Sequence, residues 1–287
     1  MTKPWVSALA LSFVEEGTLS LLDPVEKYLP EFSGLRVGRE VGEGIVYEPL
    51  KRPLTVYDLL RHTAGLTYGV FFRSPVKGLY LEAGVDRFDL SREVFLERLA
   101  ALPLRFQPGE TFEYGLATDL LGHLLEALAG RSLAELLEER LFRPLGMKDS
   151  GFQAKDPARL AQPFPKDPET GHSLRLLPVE TPPPRYAGGM GGVGTAADYL
   201  AFLEALRLGR GALSPTMAGF MVQDHLGSLY PEALKRGPEY LPGPGYSFGL
   251  GVAVRVEPMG YSPGALGEWT WAGFGGTFFF VDPLQEI

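Results

Sequence analysis

The sequence predicts an α+β fold, helical through the middle of the chain and sheet-like towards its end. Two patterns carry this. Apolar residues recur at helical spacing in several segments before residue 206, whereas residues 246–256 and 277–281 are apolar, glycine-containing runs of strand character. Size is the third observation: 287 residues at 45% hydrophobic content supply a core for one large domain or two modest ones.

The elements follow in order. A helix is expected over residues 3–16, where Val6, Leu9, Ala10, Phe13 and Val14 share a face and Gly17 provides a stop. Residues 19–29 supply a turn and a short helix opening at Asp23-Pro24. Residues 41–47 read as an extended excursion. Thr55 is placed to cap a short helix through Leu60, which leads into His62-Thr63-Ala64-Gly65-Leu66. Ser91 opens a helix carrying Val94, Phe95, Leu96 and Leu99. Residues 118–128 and 132–141 make a helical hairpin broken at Gly130, with Ser132 and Glu135 spaced as a capping box. Residues 144–195 are mostly irregular, because they hold Pro182-Pro183-Pro184 and a glycine-rich run from 188 to 194. Residues 196–206 return to helix, and no internal repeat is visible.

Composition excludes several functions. The formal charge of -8 argues against a nucleic-acid partner, which needs a basic face. Without cysteine, the chain has no disulfides, no thiolate catalysis and no Cys-based zinc site. No two histidines have H-x-x-x-H spacing, so neither a metal nor a cofactor is expected. No apolar run approaches the roughly 18–20 residues of a membrane span, and the chain carries no signal peptide of its own, so a cytoplasmic location is expected. Asparagine is absent altogether, which points to a thermophilic source.

Separated blocks then carry a resemblance. They are Met1-Thr2-Lys3-Pro4, residues 13–30 (FVEEGTLSLLDPVEKYLP), 59–66 (LLRHTAGL), 108–122 (PGETFEYGLATDLLG), 141–147 (LFRPLGM), 188–200 (GGMGGVGTAADYL) and 269–283 (WTWAGFGGTFFFVDP). In this order they resemble the serine β-lactamase-related family: class C β-lactamases, DD-peptidases and family VIII carboxylesterases. The resemblance implies a two-lobe β-lactamase/transpeptidase-like fold, an antiparallel sheet lobe beside a helical lobe at about residues 50–190, with the site between them.

The resemblance also implies roles. Lys3 matches the lysine of S-x-x-K, whose serine would stand one position before Met1. That spacing puts serine and lysine one helical turn apart. A neighbouring positive field would depress the lysine pKa, so that it could take the serine proton. Tyr114 matches the tyrosine of Y-x-N and would relay a proton to the leaving group. The motif reads Tyr114-Gly115-Leu116, so a leucine stands at the position expected to line the substrate pocket. Trp271-Ala272-Gly273 stands where class C enzymes have Lys-Thr-Gly. It would present an aromatic wall suited to an acyl or alkyl group, with the Phe274 N–H as an oxyanion donor. For each there is a structural alternative: a solvated Lys3, a buried aromatic at Tyr114, a core tryptophan on an edge strand at Trp271.

Two further serines fit G-x-S-x-G, in Gly245-Tyr246-Ser247-Phe248-Gly249 and Gly260-Tyr261-Ser262-Pro263-Gly264. Neither has the strand–turn–helix context of a nucleophile elbow. His62 reads as part of a structural turn near the site, His123 as a packing or surface residue, and His172 and His225 as isolated. Asp198 reads as a brace at a helix start, and Asp119 as structural.

The family architecture places strands and a helix before the nucleophile, and a strand and a helix after the last block. The chain is therefore expected to be a single domain over 1–287 with an incomplete sheet lobe, exposed strand edges and an uncovered apolar face. The parent activity is expected to be serine ester hydrolysis through an acyl-enzyme, acting on a small ester or amide and inactive in this truncated form. β-Lactamase or D-amino-acid/DD-peptidase activity is one alternative, a non-catalytic fragment or binding lobe another.

Overall fold

The computed structural model describes residues 1–168, 171, 177–259 and 262–287. The chain opens with helix α1 (Thr2–Glu15), in which every residue from Thr2 to Phe13 is buried. The apolar pattern suggests one packed face, but α1 is enclosed all round, as befits a helix between two layers. On one side it packs against α5 (Ala117–Ala129) and α6 (Leu133–Leu137); on another it meets α8 (Pro215–Met221). Trp5 reaches Tyr199 at 5.4 Å between ring centroids, and Tyr199 reaches Phe279 of the sheet at 5.6 Å.

The helical lobe is pinned by its caps. Strands β1 (Arg36–Val41) and β2 (Gly44–Pro49) form an antiparallel hairpin where an extended excursion was expected. Thr55 caps α2 (Val56–Leu60) in a complete capping box with Asp58. Helix α3 (Pro75–Ala83), which the apolar pattern does not reveal, starts at Ser74 and ends at Gly84 with φ 59. Ser91 caps α4 (Arg92–Ala100), and Ser132 with Glu135 forms the expected capping box of α6, which continues as a π-helical turn over Glu138–Phe142. Gly130, at φ 65, breaks α5 from α6 because it tolerates the left-handed region. Thr195 caps α7 (Ala196–Leu208). Asp198 braces the preceding loop, accepting bonds from the Asp149 N–H at 2.7 Å and the Ser150 hydroxyl at 2.9 Å.

After α8 and α9 (Tyr230–Leu234) comes the sheet lobe, an antiparallel meander of β3 (Tyr246–Phe248), β4 (Ala253–Arg255), β5 (Trp269–Ala272) and β6 (Phe278–Val281). Strand β5 is interior, paired with β4 and β6, so Trp271 does not sit on an edge strand. Along β6, Phe279 and Val281 face the core while Phe278 and Phe280 stand exposed. The whole is an α+β two-lobe arrangement of the β-lactamase/transpeptidase kind. Among the described residues no helix is long and apolar enough to cross a membrane.

Candidate active site

The first turn of α1 carries Lys3 into the seam between the lobes. Its side chain is buried, and Nζ donates to the Tyr68 hydroxyl at 3.1 Å and to the Gly189 carbonyl at 3.0 Å. It also lies 4.7 Å from the centroid of the Tyr114 ring. Lys3 is therefore no solvated surface charge. Burial opposes its positive charge, but Tyr114, Tyr68 and Asp119 more than offset this and push its pKa up. The expectation of a depressed lysine fails here because the neighbours are phenols and a carboxylate, not cations. Burial raises the Tyr68 hydroxyl, with Lys3 pulling the other way.

Tyr68 is a close neighbour of Lys3 that sequence motifs do not reveal. It lies two residues beyond the HTAGL block, and only the fold brings it to Lys3 and to within 5.6 Å of Tyr114. His62, in the same turn, is fully buried at φ 56 and held neutral, its pKa depressed by burial and by Lys3. Its ring stacks 4.9 Å from Tyr114, a structural neighbour of the site.

The glycine-rich run closes the floor. A Cβ on Gly189 would run into Asp119 Oδ2 and come within 3.2 Å of Lys3 Nζ, so only glycine lets this carbonyl approach the ammonium. Asp119 is completely buried and faces Arg185 at 3.4 Å. The Gly192 N–H donates to Thr2 Oγ1 at 2.9 Å, tying the run to the start of α1.

Opposite stands β5. Trp271 packs on Tyr114 at 5.3 Å and on Phe248 at 5.1 Å, and its indole N–H is buried with no hydrogen-bond partner among the described residues. Beyond Ala272, the Gly273 N–H is committed to Thr277 O at 2.7 Å, whereas no backbone hydrogen bond among the described residues uses the Phe274 N–H. The Phe274 ring is 85% exposed at the mouth. A Cβ on Gly273 would stand 3.1 Å from the Met1 nitrogen, so the start of α1 abuts this wall.

Leu116 is fully buried at the N-cap of α5. Ser247 is also fully buried, in β3, and donates to Asp224, so it is no nucleophile. Ser262 accepts from Arg255 at 3.2 Å, while Gly260 and Tyr261 of its pentad, like His172, lie outside the described residues. His123 is a packing residue paired with Glu126 at 2.8 Å. His225 is not isolated: it takes part in hydrogen bonds with Tyr57 at 3.0 Å and with the Phe220 carbonyl at 2.7 Å.

The Beta-lactamase family model matches residues 1–287, and the chain belongs to that family. Among curated relatives, Esterase EstB of Burkholderia gladioli is 34% identical over 98% of this chain and 72% of its own length. Lovastatin esterase of Penicillium rubens is 31% identical over 100% of this chain and 76% of its own. Among solved structures, EstCE1, a hydrolase with promiscuous acyltransferase activity, superposes with a TM-score of 0.77 at 31% identity, covering 99% of this chain and 75% of that one.

Proposed function

We propose that this fold serves acyl transfer from small esters, with Lys3 and Tyr114 as the proton-handling pair and the residue joined to Met1 as the nucleophilic serine. One observation carries the reading: the Lys3 ammonium is buried against both tyrosines while the Met1 nitrogen abuts Gly273 of the opposite wall. A serine joined to that nitrogen would stand between the lysine and the β5 wall. Beside the Lys3 cation, Tyr114 relays the serine proton, accepting it as its own hydroxyl proton passes to the leaving alcohol. The carbonyl oxygen, as it becomes an oxyanion, is met by the Phe274 N–H and the serine N–H. Water, or an alcohol, then takes the acyl group.

Esters are preferred to β-lactams because Trp271 and Ala272 stand where class C enzymes have the lysine and threonine that would grip a carboxylate. Names of relatives point the same way, since they include esterases and acyltransferases.

The test compares two chains. The chain bearing serine before Met1, with the family's preceding strands and helix, is expected to hydrolyse short p-nitrophenyl esters and form a fluorophosphonate adduct on that serine. The 287-residue chain alone is expected to form none. An adduct on the 287-residue chain, or faster turnover of a cephalosporin than of the esters, overturns the reading.

A further inference from the structure

Tyr68 and Tyr114 lie on separate segments, 46 residues apart in sequence, yet both must meet one lysine. The residue preceding each is polar and fully or almost fully buried. Thr67 donates from Oγ1 to Glu113 Oε1, so the two tyrosines are joined through their immediate neighbours. The Glu113 carboxylate cannot swing away. Its Oε2 is held by Arg105 at 3.1 Å and by Arg236, and Lys77 stands 3.4 Å from Oε1. Those cations are in turn shared with Glu239, at 2.5 Å from Arg105, 2.6 Å from Arg236 and 3.6 Å from Lys77. The hydroxyl of Thr67 is thus bonded to an acceptor fixed by its own ring of cations.

The backbones reinforce the pairing. The Glu113 N–H donates to the His62 carbonyl at 2.8 Å. A Cβ at Gly115 would collide with the Leu66 carbonyl and Thr67, so the two segments press together on the far side of Tyr114 as well. We propose that the Thr67–Glu113 bond holds Tyr68 and Tyr114 around Lys3, and that Thr67 and Glu113 are positioning residues of the site. Its kinetic consequence rests on the acyl-transfer reading; its geometric content does not.

The 287-residue chain carries the first test. With ring-labelled tyrosine, Thr67→Val is expected to shift the NMR signals of Tyr68 and Tyr114 together, and Thr67→Ser to restore them. Thr67→Ala supplies the same loss if valine is not accommodated. Glu239→Gln, which touches the charge cluster but not Thr67, is expected to leave both signals in place. Unmoved rings in a folded Thr67→Val or Thr67→Ala chain overturn the proposal, as does an equal shift from Glu239→Gln. In the serine-bearing chain, Thr67→Val is expected to lower kcat about 10-fold at unchanged KM, because misplacing a proton-transfer group weakens the transition state and not binding. Shifted rings in a serine-bearing chain without esterase activity would sink the acyl-transfer reading and leave the positioning role standing, whereas full kcat in Thr67→Val overturns the positioning role.

Discussion

Lys3 Nζ donates to the Tyr68 hydroxyl at 3.1 Å, both side chains buried, joining the first turn of α1 to the turn that follows His62. It also donates to the Gly189 carbonyl and lies over the Tyr114 ring. Tyr68→Phe removes one acceptor and leaves the volume nearly unchanged. The cost is expected at about 1.5–3 kcal/mol, the range for a hydrogen bond to a charged group. Urea unfolding of Tyr68→Phe, Lys3→Met and the double variant measures it. Coupling between the two substitutions of about 1–3 kcal/mol is expected, and additive effects would refute a direct bond.

Asp119 and Arg185 form a second buried relationship, with side chains 0% and 1% exposed at 3.4 Å. The Arg185 guanidinium also lies 4.1 Å from the Phe95 ring centroid, wedged in the core. Asp119→Asn keeps the shape but leaves the arginine without its anion. A loss of about 3–5 kcal/mol is expected, since an uncompensated buried charge remains. Denaturant unfolding at neutral pH checks it, and a change within about 0.5 kcal/mol, typical of an exposed substitution, would show that the pair is not needed.

Much of this architecture is legible in local chemistry. Thr55, Ser91 and Ser132 announce their helices because a side-chain cap is a property of adjacent residues. The blocks holding Lys3, Tyr114 and Trp271 likewise announce a site. What stays hidden depends on distant partners. The charge on Lys3 is set by Tyr68, Tyr114 and Asp119, none of them near in sequence. Tyr68 has no motif spacing to mark it. The full burial of Leu116 at the start of α5 is likewise set by the elements around it and not marked by its motif. Helices α3, α8 and α9 are short, and their burial is decided by the elements they pack against.

Asp86 gives a pH-dependent prediction. It accepts the Gly69 N–H at 2.8 Å beside Tyr68, and its pKa is raised from 3.8 to about 6 by burial first, with Asp119 adding to it. The folded state thus holds this proton more tightly than the unfolded chain. Stability from the group is fully present below pH 3.8 and is lost as pH rises through about 6. Asp86→Asn keeps an acceptor for Gly69 and removes the charge. Its Tm relative to the parent chain is expected to rise between pH 4 and pH 6 and to level off above. A gap that is flat, or widest at pH 4, would contradict the assignment.

Leu116→Asn restores the asparagine of the family motif and separates sequence position from structural place. Leu116 is fully buried at the N-cap of α5, where no side chain caps the helix. Asparagine is a good N-cap residue and would recover about 1 kcal/mol if its oxygen met a helix N–H. Against this stand the lost burial of a leucine and the desolvation of an amide with donors left unpaired, together about 3–5 kcal/mol. The lost burial outweighs the new cap, and a net loss of about 2–4 kcal/mol in unfolding free energy is expected. Because the side chain is fully buried, the serine-bearing chain with Leu116→Asn is expected to gain no cephalosporin turnover. A stabilised variant, or one that acquires β-lactam hydrolysis, would show that residue 116 faces the substrate after all.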